Sequence, residues 1–314
     1  MSGDLVVLVN PTARGGRARR VVGPVVQRLR EGGHDVRVIV GASAEDALAK
    51  ARTAVAQGSD ALVALGGDGL VHLAVQAVAG TGVPLGIIPA GTGNDIASAL
   101  GIPRDPLAAA AVVAAAAGGD GTAVRSVDAA QVGGPGGEDR RWFAGVVACG
   151  FDSRVNERAN GIAWPPGMAK YLVALVQELR TFSPIPFRIT LGSGDGAEET
   201  EVIEREAMLV AVANTRSYGA GMRVCPDARP DDGLFDVLVL GAVPKGEFLR
   251  TFPKVYRGNH VGHPAVTIRR AARVTLEAVG PGADVVAYAD GERVGPVPVT
   301  CAVVPGALRV LVPA

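Results

Sequence analysis

Apolar positions in the first third of the chain switch between two spacings. Apolar-rich runs at 5–9, 36–40, 61–65 and 85–88 have the length of strands, unbroken at 5–9 and 61–65. Between them the spacing becomes helical: Val21, Val22, Val25, Val26 and Leu29 share one side of 17–30, and Leu70, Val71, Val75 and Val78 recur after 69. Ser43 stands where an N-cap would open a further helix, with Asp46 three residues on. Strands alternating with helices predict a parallel sheet with helices on both faces. An Ala-rich helix over 105–117 and the Gly-Gly-Asp-Gly stretch 118–121 close this part.

Beyond 121 the pattern becomes strand-rich. Strands are expected at 122–132, 141–150, 185–191, 202–213, 233–240, 266–279, 284–289, 297–304 and 307–312. Helices are expected at 152–160, 168–182 and 245–255. The division is an α/β nucleotide-binding domain over 1–121 and a β-rich, antiparallel sandwich-like domain over 122–304. The last residues, about 305–314, are expected to pack back on the first domain.

Composition narrows the chemistry. Hydrophobic residues are 48% of the chain and aromatics only 4%, so the core must be built from Ala, Val, Leu and Ile. Formal net charge is +0, from 31 basic and 31 acidic residues, which gives no global field for nucleic acid. Cys149, Cys225 and Cys301 are far apart in sequence, against a disulfide framework or zinc site. His260 and His263 lack a third ligand nearby and read as surface loop residues. The longest apolar run, 107–117, would span roughly 16 Å as a helix, short of a ~30 Å bilayer core. With no basic leader at the start, a cytoplasmic protein is expected.

Three predicted strands end in loops with chemical character: Asn10-Pro11-Thr12-Ala13-Arg14-Gly15-Gly16, Gly66-Gly67-Asp68-Gly69, and Gly91-Thr92-Gly93-Asn94-Asp95. Strand, glycine turn and helix together bring backbone N–H groups to phosphate oxygens. Lacking Cβ atoms, Gly66 and Gly67 permit positive φ and close approach of a ligand. Like charges repel, so Asp68 is useful beside phosphate only with a divalent cation between them. A tight βα turn with Asp as a cap explains any one of these loops equally well. In an open parallel sheet all three converge at the carboxyl ends of the strands. Together they suit a nucleotide polyphosphate with Mg²⁺. No Gly-Lys dipeptide exists, which excludes a Walker A loop, and Ile96 breaks the dinucleotide fingerprint.

In order and spacing, Asn10-Pro11, Gly66-Gly67-Asp68-Gly69 and Gly91-Thr92-Gly93-Asn94-Asp95 resemble the nucleotide-site motifs of the bacterial diacylglycerol kinase-like lipid kinases. That family includes sphingosine and ceramide kinases and is distantly related to NAD kinases and phosphofructokinases. The segments 148–152, 226–236 and Asp290-Gly291-Glu292 resemble motifs of its second domain, so the likeness covers nearly the whole chain. It implies an active site in the interdomain cleft and transfer of the ATP γ-phosphate to a lipid hydroxyl, above all diacylglycerol to phosphatidic acid. The ATP site would draw on Asn10, Pro11, Arg14, Ser43, Gly66, Gly67, Asp68, Gly69, His72, Gly91, Thr92, Gly93 and Asn94. Asp68 and Asp95 would organise the catalytic Mg²⁺, and Glu292 would take the proton from the acceptor. A structural Mg²⁺ would sit on the Asp232 carboxylate and the backbone oxygens of Leu234 and Arg229. Placement at the inner membrane face and a homodimer are further implications.

From the residues alone, Glu292 is equally a surface hairpin residue, and Asp232 an ordinary strand-entry turn. The first motif also departs from the family, which continues Gly-Gly-Asp-Gly with Thr-x-Asn-Glu. Here Leu70-Val71-His72-Leu73 follows, leaving His72 to replace one lost donor. Residues 164–171, with Arg154, Arg158 and Lys170, form a candidate lipid mouth, unless 168–182 is simply a packed helix. Two other readings share the loops: an NAD kinase-like or other non-lipid kinase, and a non-catalytic nucleotide or lipid sensor.

Overall fold

The structure is a computed structural model that describes residues 3–10, 17–119, 123–165, 168–193, 199–280 and 285–314. Pro11 and Arg14 lie outside the described residues. The first part runs β1 (Asp4–Val9), α1 (Arg17–Glu31), β2 (Asp35–Val40), α2 (Ala44–Ala56), β3 (Ala61–Gly66), α3 (Asp68–Val78), β4 (Leu85–Pro89), α4 (Asp95–Ala99) and α5 (Pro106–Gly118). The strands are parallel in the order β4-β3-β1-β2. Strand β3 is buried along its whole length, which is why its sequence is an uninterrupted apolar run. At the edge, β2 exposes four of its six residues and carries Asp35 and Arg37. Helix α5 starts where Asp105 accepts the Leu107 and Ala108 N–H groups, with Pro106 at the first turn.

The second part runs β5 (Val124–Gly133), β6 (Arg141–Phe143), β7 (Val146–Gly150), α6 (Phe151–Asn160), α7 (Met168–Thr181), β8 (Ile185–Gly192), β9 (Glu199–Ala213), β10 (Phe235–Gly241) and α8 (Lys245–Thr251). A 3₁₀ helix (Phe252–Arg257), β11 (Val266–Ala271), β12 (Arg273–Ala278), β13 (Val286–Ala289), β14 (Glu292–Pro296) and β15 (Val299–Leu311) follow. Its strands pair antiparallel around a second core, in which Phe143 stacks on Phe235 at 5.8 Å. Cys149, Cys225 and Cys301 are all buried and free. Burial pushes the Cys149 thiol up to about 12, so none of its chemistry is thiolate chemistry near neutral pH.

Four expected elements differ. The run 141–150 is two strands, because the N–H groups of Ala144, Gly145 and Val146 all turn to the Asp290 carboxylate. The run 266–279 breaks at Ala272, since β11 pairs with β10 whereas β12 pairs with β8 and β15. The helix expected over 245–255 tightens to 3₁₀ at Phe252, beside Pro253, which has no N–H to continue an α-helical ladder. Residues 297–304 and 307–312 join as one strand, β15, with its register shift between Val304 and Leu308. That strand connects the two halves: its start pairs with β12, and Val310 pairs with Leu85 of β4. His260 is another correction. It is buried rather than a surface loop residue, with Nε2 3.0 Å from the Val224 carbonyl, and burial lowers its pKa.

Candidate active site

Asp68 is the first residue of α3, immediately after β3. Its two carboxylate oxygens accept the N–H groups of Asn94 and Asp95, each at 2.7 Å. Asn94 itself is left-handed (φ 57°), and its side chain closes the loop by bonding both the N–H and the carbonyl of Gly91 at 3.0 Å. The loops after β3 and β4 are thus one structure, with Asp68 as its internal anchor. Gly66 and Gly67, expected to permit positive φ and close approach of a ligand, do not use positive φ. Gly66, Gly67, Gly69, Gly91 and Gly93 all avoid the left-handed region. They are needed for contact: a Cβ on Gly91 would stand 2.4 Å from Cα of Gly67, and one on Gly93 2.6 Å from Oδ2 of Asp68.

Asp95 reaches out of the first domain. Its carboxylate accepts the N–H groups of Ala220 and Gly221 at 2.8 Å each. Those donors point the same way because Gly219, Ala220 and Gly221 are all left-handed, at φ 60°, 65° and 99°. Burial raises the pKa of both Asp68 and Asp95. Their N–H donors act against it, and the neighbouring charges, Asp290 on Asp68 and Asp68 on Asp95, add to the rise.

The opposite wall is the β13–β14 hairpin. Asp290 and Gly291 both have positive φ (52° and 86°), the requirement of a two-residue type I′ turn that Asp-Gly meets well. Asp290 accepts from Ala144, Gly145 and Val146 and lies 3.2 Å from Nδ1 of His72. One turn earlier on the same face of α3, a Cβ on Gly69 would meet Oε1 of Glu292 at 3.0 Å. Glu292 remains exposed and its negative charge, second to burial, raises Tyr171. Asp290, left without a role of its own in the sequence, is therefore the residue that sets Glu292 against α3.

Between these walls lies a cavity of about 320 Å³. Asp68, Thr92, Asp95 and Asp290 line its polar end, while Val155, Tyr171, Leu175, Phe252 and Tyr256 line the rest. Asp152 and Tyr218, joined by a short hydrogen bond, stand between it and a smaller apolar cavity of about 70 Å³. Neither this pair nor the Ala220–Gly221 donors were found from sequence. The Gly219-Ala220-Gly221 spacing was the available signal.

The other expected residues are placed as follows. Asn10 follows the end of β1 and is exposed. The Ser43 hydroxyl accepts from Asp46 N–H and caps α2. His72 is buried against Asp290, and Leu70 is buried beneath Gly66, where a Cβ would meet Leu70 Cδ2 at 2.7 Å. The departures in the first motif therefore fill core and domain boundary. Asp232 is paired with Arg270 and accepts the Leu234 N–H at 3.2 Å, and Arg229 faces Asp231 at 3.6 Å. The Asp232 carboxylate, expected to hold a structural Mg²⁺, here meets the Arg270 guanidinium. Among the described residues, no three Asp, Glu, His or Cys side chains converge closely enough to hold a metal alone. Asp68, Asp95 and Asp290 line one end of the cavity, with their carboxylate oxygens accepting backbone N–H groups.

A parallel α/β domain thus faces a β-rich domain across a carboxylate-rimmed cleft. Residues 4–117 match the diacylglycerol kinase catalytic domain, and residues 145–312 match the YegS C-terminal NAD kinase beta sandwich-like domain. The chain is 42% identical over 312 residues to a diacylglycerol kinase of Mycobacterium tuberculosis, covering 99% of this chain and 96% of that one. It is 32% identical over 317 residues to a Pseudomonas aeruginosa protein named probable lipid kinase YegS-like, covering 100% and 96%. The crystal structure of a Bacillus anthracis diacylglycerol kinase shares the fold, with a TM-score of 0.75 over 99% of this chain and 97% of that one, at 22% identity. The chain belongs to the diacylglycerol kinase catalytic-domain family of lipid kinases, phosphotransferases with an alcohol group as acceptor. Among the described residues no helix is long and apolar enough to cross a membrane.

Proposed function

We propose that this lipid kinase transfers the γ-phosphoryl group of ATP to the free hydroxyl of a diacylglycerol, giving phosphatidic acid and ADP. The observation that carries the reading is Glu292: an exposed carboxylate from the second domain, held against Gly69 beside the Asp68 loop. Phosphoryl transfer needs alignment and charge neutralisation more than covalent help from the protein. The triphosphate would lie along Gly66–Gly69 and Gly91–Gly93, with Thr92 and Asn10 as further contacts. A magnesium ion at Asp68, Asp95 and Asp290 would neutralise the phosphates and relieve the mutual repulsion of those carboxylates. Glu292 takes the acceptor proton as the hydroxyl oxygen bonds to the γ-phosphorus and the bond to the β,γ-bridging oxygen breaks. The apolar length of the cavity suits acyl chains better than a second nucleotide, which favours a lipid over NAD as acceptor.

The test is label transfer from ATP, with Mg²⁺, to a panel of lipid alcohols and to NAD. Diacylglycerol should be labelled and NAD not. Glu292→Gln should lower kcat by about 10²–10⁴-fold with the ATP KM within about twofold. Equal labelling by both proteins removes Glu292 from the mechanism, and ATP binding without transfer to any alcohol leaves a sensor.

A further inference from the structure

After Asp68, helix α3 carries only two polar side chains, His72 and Gln76, one turn apart on one face. Both reach into the second domain. Gln76 is joined to the main chain of Trp142 in both directions. Its Oε1 accepts the Trp142 N–H at 2.9 Å, and its Nε2 donates to the Trp142 carbonyl at 2.5 Å. A main-chain N–H can only donate, so Trp142 fixes which end of the amide is oxygen. Strand β6, which holds Trp142, pairs on one side with β5. On its other side the Gln76 amide stands where a strand partner would be.

The same amide nitrogen stands 3.4 Å from Nε2 of His72, whose Nδ1 faces the Asp290 carboxylate at 3.2 Å. A carboxylate accepts, so these partners assign the ring proton to Nδ1 and leave Nε2 to accept from Gln76. Asp290 closes the circuit, because it also accepts the N–H of Ala144, two residues past Trp142. Arg141, just before Trp142, donates to the Arg293 carbonyl at 3.2 Å. The segment 141–144 therefore grips the chain on both sides of Glu292, at Asp290 and at Arg293. Gln76 ties that segment to the helix whose first residue is Asp68. Glu292 itself meets Gly69 on the same face of that helix, with Oε1 3.0 Å from the Cβ position.

We propose that Gln76 is a positioning residue for proton transfer: through Trp142 and His72 it sets where Glu292 stands relative to the Asp68 loop. This role rests on the reading of Glu292 as the group that takes the acceptor proton. Gln76 does not line the large cavity among the described residues, so it acts through Glu292 and not on a substrate. Misplacing a reacting group by about 1 Å can cost about a hundredfold in rate. Each hydrogen bond of the circuit narrows the range over which the hairpin tip, and Glu292 with it, can move.

The test compares Gln76→Met and Gln76→Glu with wild type, each alone and combined with Glu292→Gln, using ATP, Mg²⁺ and a water-dispersed short-chain diacylglycerol. Methionine keeps the size of Gln76 and removes its hydrogen bonds. Glutamate keeps the acceptor for the Trp142 N–H and removes the donors, and serves if the methionine variant does not fold; melting temperatures report folding. Each variant should lower kcat at least about tenfold, with the ATP KM and the half-saturating Mg²⁺ concentration within about twofold of wild type. In the Glu292→Gln background the same changes should alter kcat by less than about twofold, because the group they position is gone. Without any substrate, exchange of the Trp142 and Ala144 amides should quicken at least about tenfold in Gln76→Met. Full kcat, or a loss of equal size with and without Glu292, overturns the positioning role. So does a raised Mg²⁺ requirement, which would put the effect at the phosphates. Unchanged exchange at both amides overturns the circuit itself. Full activity of Glu292→Gln alone sinks the reading of Glu292 as the base and the proton-transfer role of Gln76 with it, whereas a Gln76 effect independent of Glu292 sinks the positioning role alone.

Discussion

Asp95 in the first domain accepts the N–H of Ala220 in the second at 2.8 Å, and its other oxygen takes Gly221 at the same distance. The carboxylate that ends the second glycine loop is thereby also the latch of the cleft. Burial already raises its pKa, so the bond is made by a group that gains from every donor it can reach. Asp95→Asn keeps the shape but replaces one acceptor oxygen with a donor. Amide exchange at Ala220 and Gly221 should quicken at least about tenfold, from losing one charge-assisted hydrogen bond of about 1.5–3 kcal/mol. Unchanged exchange at both amides would refute the latch.

Gly91 and Gly67 touch backbone to backbone, and the distances rank their substitutions. Gly91→Ala places a Cβ 2.4 Å from Cα of Gly67, whereas Gly67→Ala meets Cα of Gly91 at 3.1 Å. Urea titration should find Gly91→Ala less stable by about 1–3 kcal/mol and Gly67→Ala by less. Gly246, inside α8 with nothing within 4 Å of its Cβ position, serves as the control. There alanine should be neutral or stabilising by up to about 1 kcal/mol.

Asp290 gathers three N–H groups, and it does so almost wholly out of solvent. Asp290→Ala strands them and frees the hairpin tip that carries Glu292. A loss of about 3 kcal/mol or more in chemical denaturation is expected, since each buried unsatisfied donor costs about 1–3 kcal/mol. His72→Ala, which removes the 3.2 Å contact to Asp290 and a 3.4 Å contact to Gln76, should cost clearly less. The reverse ranking would show that His72, not the three amides, anchors the turn.

The Asp152–Tyr218 pair should make stability depend on pH in a stated direction. Burial raises the Asp152 carboxyl, and the Tyr218 hydrogen bond offsets only part of that rise. A carboxyl with a folded pKa above its unfolded value of 3.8 contributes stability that is present below pH 3.8 and lost as pH rises through the folded value. Asp152→Asn keeps an acceptor for Tyr218 without the buried charge. Its melting temperature should therefore exceed that of wild type at pH 7, with the gap shrinking as pH falls toward 4. A gap that is absent, or that widens on acidification, contradicts this assignment.

Local pattern was enough for much of this protein. Runs of consecutive Val, Leu, Ile and Ala demanded strands buried on both faces, and turns rich in Gly, Asp and Asn marked where those strands end. That alone brought Asp68 and Asp95 to one rim and made Asp290-Gly291 a hairpin turn, because backbone sterics act over a few residues. What Asp68 and Asp95 bond to was a different matter. So was the choice between a surface turn and a facing acid for Glu292, the joining of two apparent strands into β15, and the pairing of Asp232 with Arg270. Each depends on groups tens to hundreds of positions apart, such as Asp95 with Ala220 or Gly69 with Glu292. No spacing along the chain encodes such distances. They are settled only when two hydrophobic cores pack and leave buried carboxylates to find the N–H groups that packing has brought within reach.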